Sequence, residues 1–140
     1  GNISKRFSLS GIEIPRYGGA CPRWNIYSAF TTPGKIHAAV SKMTNGEKYV
    51  CIAKTVEKGV GRYGESKSML SIGLGCEAKY AKDFVYTENL NVNDRKTEIP
   101  IGVSCRTCDR LDCSQRAFPP LHKKFDVDIN SRGVSVYVSD

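Results

Sequence analysis

Trp24, Tyr27 and Phe30 recur at a spacing of three behind Pro22, and Thr32-Pro33-Gly34 closes the stretch. Proline suits a first helical position and this spacing lines up one aromatic face, so the pattern predicts one or two helical turns over 22–30. Lys35 to Met43 and Glu47 to Val56 flank Thr44-Asn45-Gly46, and Asn-Gly between two such stretches predicts a β-hairpin. Gly59, Gly61 and Gly64 mark a loop that also carries Lys58, Arg62 and Tyr63. Ser68 to Leu74 reads as a third strand, after which Gly73 and Gly75 are expected to turn the backbone into a helix over 76–86. Cys76, Tyr80 and Phe84 would form its stripe at i, i+4 and i+8. Asn89 to Glu98 is polar and loop-like. Ile99 to Val103 is a short apolar strand running into a cysteine-rich segment, and Val134 to Val138 alternates as a final strand.

Helix, hairpin, strand, helix, strand and cysteine segment, in that order, predict an α+β domain. Its antiparallel sheet would be flanked by helices, with a metal-binding C-terminal segment over 105–120. The 140 residues fit a single domain, 40% apolar and 25% charged, long enough to bury roughly two thirds of its unfolded surface. The glycine- and proline-broken stretch over 1–20 reads as a lead-in from a preceding domain. It lacks the apolar run of an export signal, and no segment reaches the length of a membrane span. A cytoplasmic setting is therefore expected.

That expectation bears on the six cysteines, because clustered thiols in a reducing compartment more often bind metal than pair as disulfides. Cys105, Cys108 and Cys113 follow a C-x2-C-x4-C spacing, which lets three thiolates converge on one soft centre. A closed zinc or iron–sulfur site needs a fourth ligand, for which Cys76, Cys51, Cys21 and His122 are the candidates. Cys51 lies between Val50 and Ile52 in a strand and reads as a buried small hydrophobe. Cys21 follows Gly18-Gly19 in a loop. Cys76, at the expected start of a helix, would gain from its free N–H groups and dipole, and is the choice. A tight triplet with one remote cysteine is closer to iron–sulfur than to zinc ligation. A [4Fe–4S] cluster is therefore favoured, with zinc as the alternative or as a purification substitute. Arg106, Arg110 and Arg116 surround the triplet in sequence and could donate to sulfur or offset its charge.

The net charge of +7 comes wholly from the first half, where residues 1–70 hold 11 basic and 4 acidic side chains. Such a surplus favours an anionic partner. No zinc-finger spacing, helix-turn-helix pattern or RNA-recognition signature is present, so direct reading of DNA by this chain is a weak reading. His37 and His122 are the only histidines, and neither lies in a catalytic motif. The chain is expected not to be an enzyme.

Several blocks resemble one family. They are Gly1 to Arg6, Gly18-Gly19-Ala20-Cys21-Pro22-Arg23-Trp24-Asn25, Pro33-Gly34-Lys35-Ile36, Gly75-Cys76-Glu77, Ile101 to Arg110, and Cys113 to Pro120. Together they look like the C-terminal domain of bacterial short-chain fatty acyl transcriptional regulators, which control glyoxylate- and methylcitrate-type pathways. Members of that family carry an N-terminal helix-turn-helix and a metallopeptidase-like middle region, neither of which is in this sequence. The resemblance implies an effector-sensing module that meets DNA only through the absent part, and whose ligand is a short-chain acyl-CoA or CoA. A basic first half and the Gly59–Gly64 loop suit the phosphates of such a ligand. Arg23, Lys58 and Arg62 are the expected phosphate contacts, with Trp24, Tyr27 and Phe30 as an apolar or adenine-stacking wall. A homodimer is an option, and no membrane partner is expected. The rival reading is a structural zinc-binding or dimerisation module with no small-molecule effector.

Overall fold

The computed structural model describes residues 2–9, 11–15, 19–59, 61–122 and 130. The chain divides into two compact units, one comprising residues 24–41 and 48–99 and the other residues 1–23, 42–47 and 100–140.

The first unit is built on a sheet. Its strands are β1 (His37–Lys42), β2 (Lys48–Lys58), β3 (Ser68–Glu77) and β4 (Glu98–Pro100), in the order β3-β2-β1-β4. The Asn-Gly signal is realised as expected. Asn45-Gly46 turns the chain between β1 and β2, Gly46 adopts a φ of 90°, and the Met43 N–H donates to the Glu47 carbonyl at 2.8 Å. β2 and β3 then pair antiparallel without interruption from Tyr49 opposite Glu77 to Lys58 opposite Ser68. Val40, Val50 and Ala53 are buried at the centre of the sheet. The fold is α+β.

The expected helix over 22–30 is short. Asn25–Ser28 forms α1 and Ala29–Thr31 continues as a 3-10 turn. Asn25 is buried and ties this element to the sheet, its Nδ2 donating to the carbonyls of His37 at 3.2 Å and Cys51 at 3.0 Å. Gly34, with φ of 80°, donates its N–H to the Thr55 hydroxyl at 2.9 Å and ends the segment.

Two expectations are corrected around residue 76. Gly73 and Gly75 do not turn the chain, because β3 runs through both to Glu77. Each glycine instead admits a neighbour. A Cβ on Gly73 would lie 2.5 Å from the Ile26 Cγ2, and one on Gly75 would lie 3.0 Å from the Cys51 Sγ. The α-helix over 76–86 is replaced by 3-10 turns at Ala78–Asp83 and Val85–Thr87, so Cys76, Tyr80 and Phe84 form no helical stripe. The Thr87 hydroxyl, donating to the Phe84 carbonyl at 2.6 Å, fastens that irregular run. The strand expected over 134–138 lies outside the described residues.

Glycine weakens a strand and its replacement by alanine usually helps, but at Gly73 the sign should reverse, because the added methyl would meet the Ile26 Cγ2, a branch on a stiff χ1, at 2.5 Å. Gly73→Ala is expected to lose about 1–3 kcal/mol of stability by overpacking. In urea unfolding, a double-mutant cycle with Ile26→Ala should show coupling above about 0.5 kcal/mol.

Candidate metal centre

The second unit has little apolar substance among its described residues. Ala20, Met43 and Ile101 are its buried apolar side chains, and the rest of the buried set is Cys21, Gly102, Cys105, Cys108, Cys113 and Arg116. These four cysteines line one small cavity together with Arg23, Pro100, Gly102, Arg110 and Arg116.

Local geometry explains how they meet. Cys105–Thr107 is a 3-10 turn, with the Cys108 N–H donating back to the Cys105 carbonyl at 3.4 Å. In a helix with three residues per turn, i and i+3 face the same way, so C-x2-C presents both sulfurs to one side. A second tight turn at Cys113, closed by the Arg116 N–H on the Cys113 carbonyl at 3.1 Å, supplies the third thiol. Cys21 arrives from the other end of the sequence, its N–H donating to the Val103 carbonyl at 3.0 Å. Gly102 makes room, since a Cβ there would press on the Cys108 Sγ at 3.1 Å.

Within this unit the triplet shares its cavity with Cys21, whereas Cys76, the expected companion, belongs to the sheet unit. Cys76 lies in β3, opposite Val50, and does not line the cavity. Its expected helix terminus does not exist. Burial, then Asp83 and Glu77, push its thiol up rather than down. Cys51 is also held protonated, pushed up to about 11 chiefly by burial. Burial likewise raises the Cys21 thiol, and Cys105 and Cys108 add to the rise, while the N–H groups of Gly102 and Arg23 pull it back. A desolvated sulfur accepting backbone N–H groups is an environment suited to a metal-bound thiolate. The Ala117 N–H, 3.4 Å from the Cys105 Sγ, offers the same support.

The arginines divide into different roles. Arg116 is 5% exposed. Its Nη1 donates to the Cys105 carbonyl at 2.9 Å, and its Nη2 donates to the carbonyls of Cys108, at 3.2 Å, and Arg110. One guanidinium thus clamps the whole cysteine loop. Arg110 reaches the Lys42 carbonyl through Nη2 at 3.2 Å, and its buried Nε has no partner among the described residues. Arg106 turns elsewhere and stacks over the Phe118 ring at 4.8 Å. His122, a rejected ligand candidate, pairs through Nε2 with the Asp109 carboxylate at 2.7 Å.

The donor set suits an anionic, thiolate-ligated group. It offers four buried sulfurs, two N–H groups near Cys21, one on Cys105, and cationic side chains including one orphaned donor. Among the described residues, no three His, Cys, Asp or Glu side chains already stand in chelating geometry around one point. Ligation would draw the sulfurs inward from their present places around the cavity.

The expected acyl-CoA contacts are dispersed along the chain. Arg23 lines the cysteine cavity. Lys58 ends β2 and Arg62 lies in the loop beyond, both exposed, while Trp24 and Tyr27 are half-buried at α1 and Phe30 is exposed.

An α+β sheet unit and a second unit that lines a cavity with four cysteines make up this chain, and the comparisons with known proteins name its kind. Residues 1–137 match the family described as short-chain fatty acyl coenzyme A regulator, C-terminal, and the chain belongs to that family. It is 44% identical over 140 residues to the HTH-type transcriptional regulator RamB of Mycobacterium tuberculosis, covering 99% of this chain and 30% of that protein. It is 40% identical over 137 residues to the propionyl-CoA carboxylase regulator of Cereibacter sphaeroides, covering 98% of this chain and 29% of that protein. A solved structure of a Mycobacterium tuberculosis transcriptional regulator aligns with a TM-score of 0.87 at 37% identity, over 99% of this chain and 42% of that one. The chain thus spans about 30% of the length of these curated relatives. Among the described residues, no helix is long and apolar enough to cross a membrane.

Removing the clamp should be costly, because it takes a charged donor from the carbonyls of Cys105, Cys108 and Arg110. Arg116→Met is expected to lose about 2–4 kcal/mol in urea unfolding. Arg116→Lys should recover little of that loss, since a point ammonium cannot reproduce the planar fork.

Proposed function

We propose that this chain is the sensing domain of a transcriptional regulator of short-chain acyl metabolism, holding a [4Fe–4S] cluster and binding an acyl-CoA-type effector. The observation that carries the cluster is the gathering of Cys21, Cys105, Cys108 and Cys113 around one cavity with Arg110 and Arg116 beside them. An iron–sulfur core ligated by four thiolates is anionic, and it supplies reversible one-electron chemistry and sensitivity to oxidants when bound. Arg116 holds the backbone of the cysteine loop, and Arg110 brings the unsatisfied donor that a sulfur ligand could accept. Arg23, sharing the cavity, adds positive charge from the Cys21 side.

The effector half of the proposal rests on the family and on the basic first half of the chain. Lys58 and Arg62 stand exposed beside glycines that let backbone approach a phosphate. Trp24, Tyr27 and Phe30 offer aromatic surface for an adenine or an acyl chain. An effector that prefers one of two conformations of the domain would shift that balance and so alter how a flanking DNA-binding region presents itself. DNA contact and regulation belong, in this reading, to the whole regulator.

Anaerobic reconstitution with iron and sulfide should give a brown protein with stoichiometric iron and acid-labile sulfide. Cys21→Ser should abolish the visible absorption, while Cys76→Ser should leave it intact. Zinc at one per chain and no iron under any condition would overturn the cluster. Calorimetry of the same sample against acetyl-CoA, propionyl-CoA and free CoA should show saturable binding, weakened about tenfold or more in Lys58→Ala/Arg62→Ala. Silence toward every CoA species would overturn the effector without touching the metal.

A further inference from the structure

Strand β3 breaks the ordinary rules for a sheet edge. In the order β3-β2-β1-β4 it has one neighbouring strand among the described residues. Edge strands are normally short, bulged, or guarded by lysine or proline, because their free N–H and C=O groups otherwise recruit another strand. β3 is ten residues long and pairs with β2 in unbroken register, and it holds no proline and no charge before its last residue, Glu77. Its alternate side chains Leu70, Ile72 and Leu74 are exposed by 42%, 53% and 63%. The register sets them on the same face as Val56, Lys54 and Ile52 of β2. Opposite the α1 contact at Gly73, this face carries apolar side chains to the very edge.

The strand is also complementary to itself. Turned antiparallel about Ile72, one β3 places Leu70 opposite Leu74 of a second copy, and Ile72 opposite Ile72. The same register sets Lys67, just before the strand, opposite Glu77 at its end. Both charges are available for exchange, since their present partners, Glu57 for Lys67 and Lys79 for Glu77, form exposed ion pairs of small worth. We propose that β3 is a homodimerisation edge, joining two copies across a two-fold axis at Ile72 into one continuous sheet. Directly opposed apolar pairs and a closing charge pair at each end then stabilise the junction. The axis makes every such contact occur twice.

The test is the oligomeric state of the 140-residue chain by sedimentation equilibrium and light scattering, with far-UV circular dichroism as the check on folding. The chain should dimerise reversibly with concentration. Ile72→Lys, which sets two ammonium groups face to face, should leave a folded monomer. Lys67→Glu or Glu77→Lys alone should weaken the dimer about tenfold or more, and the two together should restore it. Under mild oxidation, Ile72→Cys should form a disulfide from residue 72 of one copy to residue 72 of the other, mapped by mass spectrometry. Leu74→Cys should not link to itself. A chain that stays monomeric at every concentration, a dimer indifferent to Ile72→Lys, a charge swap that fails to restore association, or a self-link at 74 but not at 72 would each overturn the proposal.

Discussion

A guanidinium buried among carbonyls and thiols governs the cysteine unit. Arg116 is almost fully removed from water, and its fork is spent on the backbone of Cys105, Cys108 and Arg110. Those hydrogen bonds satisfy geometry, but carbonyl dipoles alone answer the desolvation of a cation poorly. Neutral thiols add little, and burial together with its thiol neighbours drives Cys21 toward that neutral form. Thiolates do better. A metal group that keeps the sulfurs ionised would place negative charge beside Arg116 and give the orphaned Arg110 Nε an acceptor. The same step would cross-link a unit whose aliphatic core, among described residues, is Ala20, Met43 and Ile101. Folding and ligation are therefore coupled in this reading, as in other small modules that lack an apolar core of their own.

The sheet unit handles its cysteines in the opposite way. Cys51 and Cys76 sit in paired strands, both pushed toward the protonated form, Cys51 to about 11. Gly75 lets the Cys51 sulfur pack closely, so this thiol serves as a small space-filling group. One chain thus holds two chemically distinct sets of thiols. The distinction lies in what acts on the sulfur, which is the Ser41 hydroxyl on Cys51 and the Asp83 and Glu77 carboxylates on Cys76 in one unit, and backbone N–H groups on Cys21 and Cys105 in the other.

How much of this was legible in the sequence follows from the range of each signal. Asn45-Gly46 reports a turn within four residues, and the hairpin formed where it was expected. The Cys105, Cys108 and Cys113 spacing is equally local, because one 3-10 turn and one tight turn convert it into a shared cavity lining. The fourth member was not legible. Cys21 joins through a hydrogen bond to Val103, a contact that no neighbouring residue encodes, although the Gly18-Gly19 stretch before it marked a loop able to supply a ligand. Gly73 and Gly75 misled for a related reason. Glycine in a sequence suggests a turn, but here it answers side chains arriving from other elements, Ile26 and Cys51. Once β3 is seen to continue to Glu77, the helix imagined at Cys76 has no place to start.

Sequences agree with their structures at most positions, and disagreements concentrate where something besides the fold is being served. This chain has two kinds. A buried arginine carries its cation out of water beside the cysteines, and a long apolar strand ends a sheet where charge would be safer. In the proposed reading an anionic group among the cysteines would resolve the first and another strand along β3 the second, so that a binding event would complete each irregularity. The chemistry of the two completions differs, since one depends on sulfur ionisation and the other on backbone pairing and apolar contact. They would therefore be separable: oxidant or chelator would act on the first through metal–thiolate bonds, while dilution would act on the second through mass action. A regulator domain completed in these two ways would respond to redox or metal chemistry through its cysteine unit and to its own concentration through its sheet unit.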